Sequence, residues 1–174
     1  WWRMAFDKIG VPYDYISTQD AARDSNLNAK YDVIVFAPVG RDPQSVVAGM
    51  PMWGNAIPWK TTTLTPNIGK IDSTDDMRPG LGLTGVANLK SFTQRGGLLI
   101  TAMDTSDFAI QFGLTQGVSL QRPQRMKLVG TVLRSRMVDA SSPVMYGYGD
   151  GLAVYEDEGY IFNLSNFAGG RGGR

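Results

Sequence analysis

Trp2, Ala5, Phe6 and Ile9 repeat at helical spacing, and Gly10 followed by Pro12 marks where that helix stops. "PYDYIS" (Pro12 to Ser17) has the make-up of a short strand. "YDVIVFAPV" (Tyr31 to Val39) is a continuous β-branched run of the kind buried on both faces of a parallel sheet. Leu83, Val86, Leu89 and Phe92 mark one buried stripe of a second helix, closed by Gly96-Gly97, and the strand "LLITA" follows at once. Helix, strand, strand, helix, strand is the rhythm of a doubly wound α/β domain with a mostly parallel sheet and helices on both faces. Tyr31–Val39 and Leu98–Ala102 are therefore expected to be adjacent or near-adjacent parallel central strands, with the helix of about Leu83 to Arg95 crossing over between them in the right-handed sense.

Such a domain normally begins with a strand. This sequence opens inside a helix, on Trp1 and Trp2, so it is expected to be a processed or truncated piece lacking its first strand. From Thr115 onward the pattern becomes strand-like: "VSL", "KLVGTVLRS", "LAVYED" and "YIFNLS", separated by Pro123, Pro143 and several glycines. These pieces would extend the sheet or form an antiparallel addition beside it. The organisation expected is one α/β domain over 1–167 and a Gly/Arg-rich tail over 168–174.

Between Pro38 and Gly80 lies a long segment rich in Pro, Gly, Thr and Asn, with a short helical turn expected over Ser45 to Met50. Its Trp53 and Trp59 have three readings: lids over a pocket, anchors against another surface, or covers for the core edge.

Composition narrows the function. At 174 residues the chain suits one core, and its apolar runs are far shorter than a membrane span. Seventeen basic against sixteen acidic side chains, with no basic block in the folded part, argue against nucleic acid as a partner. There is no cysteine, hence no thiolate, disulfide or zinc–sulfur site, and no histidine, the commonest general base and metal ligand.

Three stretches remain as candidate chemistry. The strand-to-helix junction Ala102-Met103-Asp104-Thr105-Ser106, inside "GGLLITAMDTSDF", stands where many α/β enzymes place a nucleophile. Thr105 and Ser106 are alcohols without an imidazole to activate them, although a lysine base stays open, and Asp104, Thr105 and Ser106 equally suit the capping of the next helix. The cluster Asp72, Asp75 and Asp76 could hold calcium, against the alternative of solvated or capping carboxylates. The tail "AGGRGGR" reads as a flexible linker, with too few repeats for an RNA-binding Gly-Arg stretch. Asn163 opens an N-glycosylation triplet that matters only in a eukaryotic secretory host.

The stretches "WWRMAFDKIGVPYDYIS", "AKYDVIVFAPVG", "DSTDDMRPGLGLTGVANLKSFTQRGGLLIT" and "SPVMYGYGDGLAVY", in this order and spacing, resemble the C-terminal domain that follows the catalytic domain in large secreted bacterial zinc carboxypeptidases of the carboxypeptidase A type. That domain is itself similar to the class I glutamine amidotransferase fold, a flavodoxin-like sandwich, and the resemblance covers Trp1 to about Ser165. It implies a preceding strand and a peptidase domain outside this chain. The family's zinc site needs two histidines and a glutamate, so zinc is expected only in that peptidase domain and no cofactor in this chain. In true amidotransferases the elbow carries a cysteine served by a histidine and a glutamate, and neither cysteine nor histidine exists here.

Three functions follow as expectations. The first is a non-catalytic accessory or assembly domain, secreted or periplasmic, whose partners are further copies or the rest of the parent chain, with Trp1, Trp2, Arg171 and Arg174 as contact residues. The second is a peptide- or carbohydrate-binding module using Trp53 and Trp59, with Tyr31 near in sequence. The third is a weak hydrolase at the 102–106 elbow.

Overall fold

The computed structural model describes residues 1–121, 130–149, 151–156 and 160–165. The chain divides into two compact units, Trp1–Gln116 and Gly117–Arg174.

In the first unit, helix α1 (Trp2–Ile9) ends where Gly10 turns left-handed (φ 72, ψ 26) and the Val11 amide donates to Phe6 O at 3.1 Å. The ring contacts of its apolar stripe among the described residues are local: Trp2 meets Phe6 edge-on at 6.4 Å and Phe6 tilts against Tyr13 at 5.6 Å. None of its residues is buried.

The strand expected over Pro12 to Ser17 does not form. Pro12 has no amide to donate, Tyr13 and Tyr15 are exposed, and Ser17 is committed to the next helix, so no ladder holds this extended stretch. Helix α2 (Thr18–Arg23) starts with a reciprocal capping box. The Asp20 amide donates to Ser17 Oγ at 3.1 Å, and the Ser17 amide to Asp20 Oδ2 at 3.0 Å.

Strand β1 (Val33–Phe36) pairs in parallel with β2 (Leu98–Thr101), in the register Val33 to Leu98 through Phe36 to Thr101. The parallel pairing is as expected from the sequence; burial on both faces is not. Val33 and Leu98 are exposed and the other strand residues half-buried, because Ile34 and Phe36 lean on the core while the opposite face has less cover. The fold is mixed α/β with small sheets, and the parallel sheet has two strands among the described residues.

The helical turn expected at Ser45–Met50 is α3 (Pro43–Ala48), shifted upstream because Asp42 caps it, accepting from the Ser45 amide at 2.9 Å, and Pro43 opens its first turn. The long loop leaves and rejoins the body at one point. Gly49 (φ 75) lies so close to the 78–80 backbone that a Cβ there would run into Arg78 O and Gly80 N, and the Met50 amide donates to Arg78 O at 2.7 Å.

Helix α4 (Gly82–Gln94) packs on α2 and buries Val86, Leu89 and Phe92. Leu83, expected on the same stripe, is 73% exposed. At roughly 100° per residue, nine steps carry Leu83 about half a turn away from Phe92, and the core position at this end is filled by Leu81 instead. Asn88 is buried but satisfied, its Nδ2 donating to Ala21 O at 2.9 Å and Ala22 O at 3.0 Å, which fastens α4 to α2. Helix α5 (Asp104–Gln111) follows β2 directly and adds Phe108, which sits edge-on to Phe36 at 5.4 Å.

In the second unit, β3 (Val118–Gln121) pairs antiparallel with β6 (Ile161–Leu164), and β4 (Thr131–Arg134) with β5 (Ala153–Glu156). Of the two alternatives left by the sequence, these strands make antiparallel two-stranded sheets of their own rather than lengthening β1–β2. Part of "KLVGTVLRS", at 127–129, lies outside the described residues.

Candidate functional site

At the elbow between β2 and α5, Met103 has φ 55 and ψ −123, the one non-glycine residue with positive φ among those described. A side chain there strains the backbone by about 1–3 kcal/mol, and such strain gathers at sites that must present a group outward. In catalytic strand-to-helix elbows this strained residue is the nucleophile. Here it is a thioether, 56% exposed, with no proton to lose.

The alcohols singled out from the sequence stand behind it. Thr105 is fully buried; its hydroxyl lies 2.6 Å from Phe36 O and 2.8 Å from Ala102 O, and accepts from the Ala102 amide at 3.0 Å. It clamps β1 and β2 to the start of α5. Ser106 is buried beside it. The capping role expected for these residues is not observed: α5 has no side-chain cap. Asp104 instead reaches sideways, its Oδ2 accepting from the amides of Val39 at 3.1 Å and Arg41 at 3.2 Å, and so fixes the loop after β1.

The three aspartates of the loop do not converge. Asp75 pairs with Lys60 (2.5 Å) at the surface. Asp76 is gripped by Arg78, Nε to Oδ1 at 2.8 Å and Nη2 to Oδ2 at 2.6 Å, and also accepts from the Ile57 amide at 3.3 Å. These bonds, the Arg78 side chain foremost, hold the Asp76 carboxyl well below the usual carboxylate range. Asp72 belongs to neither pair. Among the described residues no group of three or more His, Cys, Asp or Glu side chains could hold a metal ion, and α4 takes no cap from this cluster.

Arg78, which the sequence reading passed over, organises the loop. Its buried guanidinium donates through Nη1 to the carbonyls of Met52, Trp53 and Gly54 at 3.2–3.3 Å while holding Asp76. The signal available was the Asp-x-Arg spacing, but nothing local says that three carbonyls from 24–26 residues upstream would wrap it.

The two loop tryptophans part company. Trp53 is 83% exposed, its carbonyl serving Arg78. Trp59 is locked by a two-way backbone bridge with Thr74, 2.9 Å each way, and forms one wall of a cleft of about 230 Å³. Asp72, Thr18, Gln19, Thr74 and Met77 also line it. Gln19 Nε2 donates to Asp76 O at 2.8 Å, and Thr74 Oγ1 donates to Gln19 Oε1 at 3.1 Å, so these two side chains tie α2 to the loop on one side of the cleft. Burial and the nearby Asp20 push the Asp72 carboxyl up, while Asp20 is kept ionised by hydrogen bonds from Ser17 and by Arg23. Thus Trp59 and Asp72, chosen from the sequence for different reasons, share one cleft. Tyr31 instead packs against the core, its phenol pushed up by burial.

Trp1 is 97% exposed and Trp2 is exposed too, at the end of the uncovered α1 stripe. Arg171 and Arg174, with the whole 168–174 tail, lie outside the described residues. Asn163 is within β6, opposite Ser119. No helix among the described residues is long and apolar enough to cross a membrane.

Compared with protein-family models, with curated proteins and with solved structures, the chain matches none.

Proposed function

We propose that this chain is a non-catalytic accessory and assembly domain, secreted or periplasmic, of a zinc metallocarboxypeptidase, built on a flavodoxin-like, class I glutamine amidotransferase-like α/β fold. The observation that carries the reading is the elbow. The strained position suited to a nucleophile is occupied by Met103, and the fully buried hydroxyl behind it, Thr105, is engaged with two carbonyls and an amide. The zinc chemistry belongs, on this reading, to a peptidase domain of the parent protein. The assembly role is supported by the uncovered apolar stripe of α1 and by a two-stranded parallel sheet whose outer edges have no ladder partner among the described residues. Another copy or a segment of the parent would cover both.

Two measurements test this. The isolated chain releases no ammonia from glutamine and no C-terminal residue from peptides; turnover that disappears in Thr105→Ala or Ser106→Ala overturns the non-catalytic reading. Light scattering across a dilution series shows self-association that Trp2→Asp weakens. A stable monomer at every concentration, indifferent to that change and to added parent peptidase, overturns the assembly role.

A second reading, a peptide- or carbohydrate-binding module, is favoured by one observation: a cleft lined by both Trp59 and Asp72.

A further inference from the structure

The Trp59 cleft contains one acidic group without a counter-charge. Of the loop's aspartates, Asp75 has Lys60 and Asp76 has Arg78, whereas Asp72 makes no ion pair among the described residues. The basic group nearest to it in effect, Arg23, is spent on Asp20 at 2.6 Å. The other polar side chains around the cleft are consumed in holding it together: Ser17 by Asp20, Gln19 and Thr74 by each other and by Asp76 O. That leaves Trp59, the partly buried Asp72 carboxylate, held among the described residues only by the Ser73 amide, and the Thr18 hydroxyl as groups to meet a ligand.

We propose that this cleft binds a guanidinium group, stacked on the Trp59 ring and paired with the Asp72 carboxylate. The proposal rests on the binding-module reading and names its ligand class. A guanidinium is planar, weakly hydrated and forked, so one group can stack on an indole and pair with a carboxylate at once. A sugar would supply the stacking face but no charge to relieve Asp72, which sits in the negative field of Asp20. The size agrees: about 230 Å³ is below the roughly 300–1,000 Å³ that takes a drug-sized molecule, and suits one side-chain head group. The guanidinium can come from a free arginine derivative or from an arginine in a peptide; the chemistry at the cleft is shared.

The test is an NMR titration of the full chain, following the Trp59 indole N–H and the Asp72 and Thr74 amides. The probes are Nα-acetyl-arginine amide, an otherwise uncharged pentapeptide with one central arginine, the same pentapeptide with citrulline, and a neutral disaccharide. Saturable shifts confined to the cleft are expected with both arginine probes. Affinity should fall about tenfold or more in Asp72→Asn, as expected for losing a charge-assisted pair, and in Trp59→Ala, while Asp75→Asn, which removes a surface pair, leaves it unchanged. A peptide that binds more tightly than the free derivative assigns the source to a protein segment; equal affinity assigns it to the side chain alone. Equal binding of the citrulline peptide, or full affinity in Asp72→Asn, overturns the guanidinium assignment. Binding of the disaccharide alone also overturns it but leaves the binding-module reading standing. No shift with any probe overturns both.

Discussion

Replacing Thr105 by valine keeps the shape of a fully buried side chain and removes only its hydroxyl. The hydroxyl accepts from the Ala102 amide at 3.0 Å and points its proton at Phe36 O (2.6 Å) or Ala102 O (2.8 Å). Valine therefore strands one donor and one acceptor in the part-buried seam between β1, β2 and α5. Each such group costs about 1–3 kcal/mol when left unsatisfied, and the added methyl returns about 0.8 kcal/mol by burial; the sum runs from about 1 to about 5 kcal/mol, and because the seam is only part-buried a net loss toward the low end, about 2 kcal/mol, is expected. For a chain of this size that corresponds to a Tm lower by about 4–8 °C. Urea and thermal unfolding followed by circular dichroism measure it. Thr105→Ser keeps the hydroxyl and should lose only about 1 kcal/mol, the cost of one buried methyl. If Thr105→Val is as stable as the parent, within about 0.5 kcal/mol, the hydroxyl is not a structural clamp. A catalytic use of it would then have to be reconsidered, and with it the non-catalytic reading of the elbow.

Met103→Gly should raise stability by about 1 kcal/mol in urea unfolding, since relief of about 1–3 kcal/mol of backbone strain exceeds the roughly 0.5–1 kcal/mol of extra glycine entropy; a loss would mean that the Met103 side chain packs usefully. Asp76 has a depressed pKa in the folded state, so its contribution is fully present above the unfolded carboxylate value of about 3.9 and fades as pH falls through the folded value. Thermal melts from pH 6 to pH 2 should show Tm falling at the acid end, with a shallower fall in Asp76→Asn, which starts lower at neutral pH. Asp72 has the opposite shift, raised by burial and by Asp20, so its ionised form costs the folded state something at neutral pH. Asp72→Asn should therefore melt slightly higher than the parent at pH 7, and the two should converge as acid protonates Asp72.

What the sequence determined is what neighbours along the chain decide. Gly10 ends α1, and the runs at Val33–Phe36 and Leu98–Thr101 are strands; the Ser17–Asp20 capping box and the Asp42–Pro43 start of α3 are equally local signals, which the strand expected over Pro12 to Ser17 and the turn expected over Ser45 to Met50 overlooked. Each of these depends on φ preference, a missing amide or a hydrogen bond spanning a few residues, so the residue types themselves carry the information. The parallel pairing followed from one further rule, that a strand, helix and strand in succession bring the strands side by side. The tertiary structure decided the rest. Pro12–Ser17 stays unpaired because the fold does not lay it along either edge of β1–β2, and Leu83 faces water because α4's orientation, set by α2 and the sheet, fixes which turn of its surface is covered. The strain at Met103 comes from forcing β2 straight into α5 while Thr105 and Asp104 bond to residues more than sixty positions away. Arg78 gathers carbonyls from across the loop, and the Trp59–Thr74 bridge brings Trp59 and Asp72 into one cleft. These are contacts between distant segments. Their energies depend on where the whole chain has already gone, and residue type alone does not encode them.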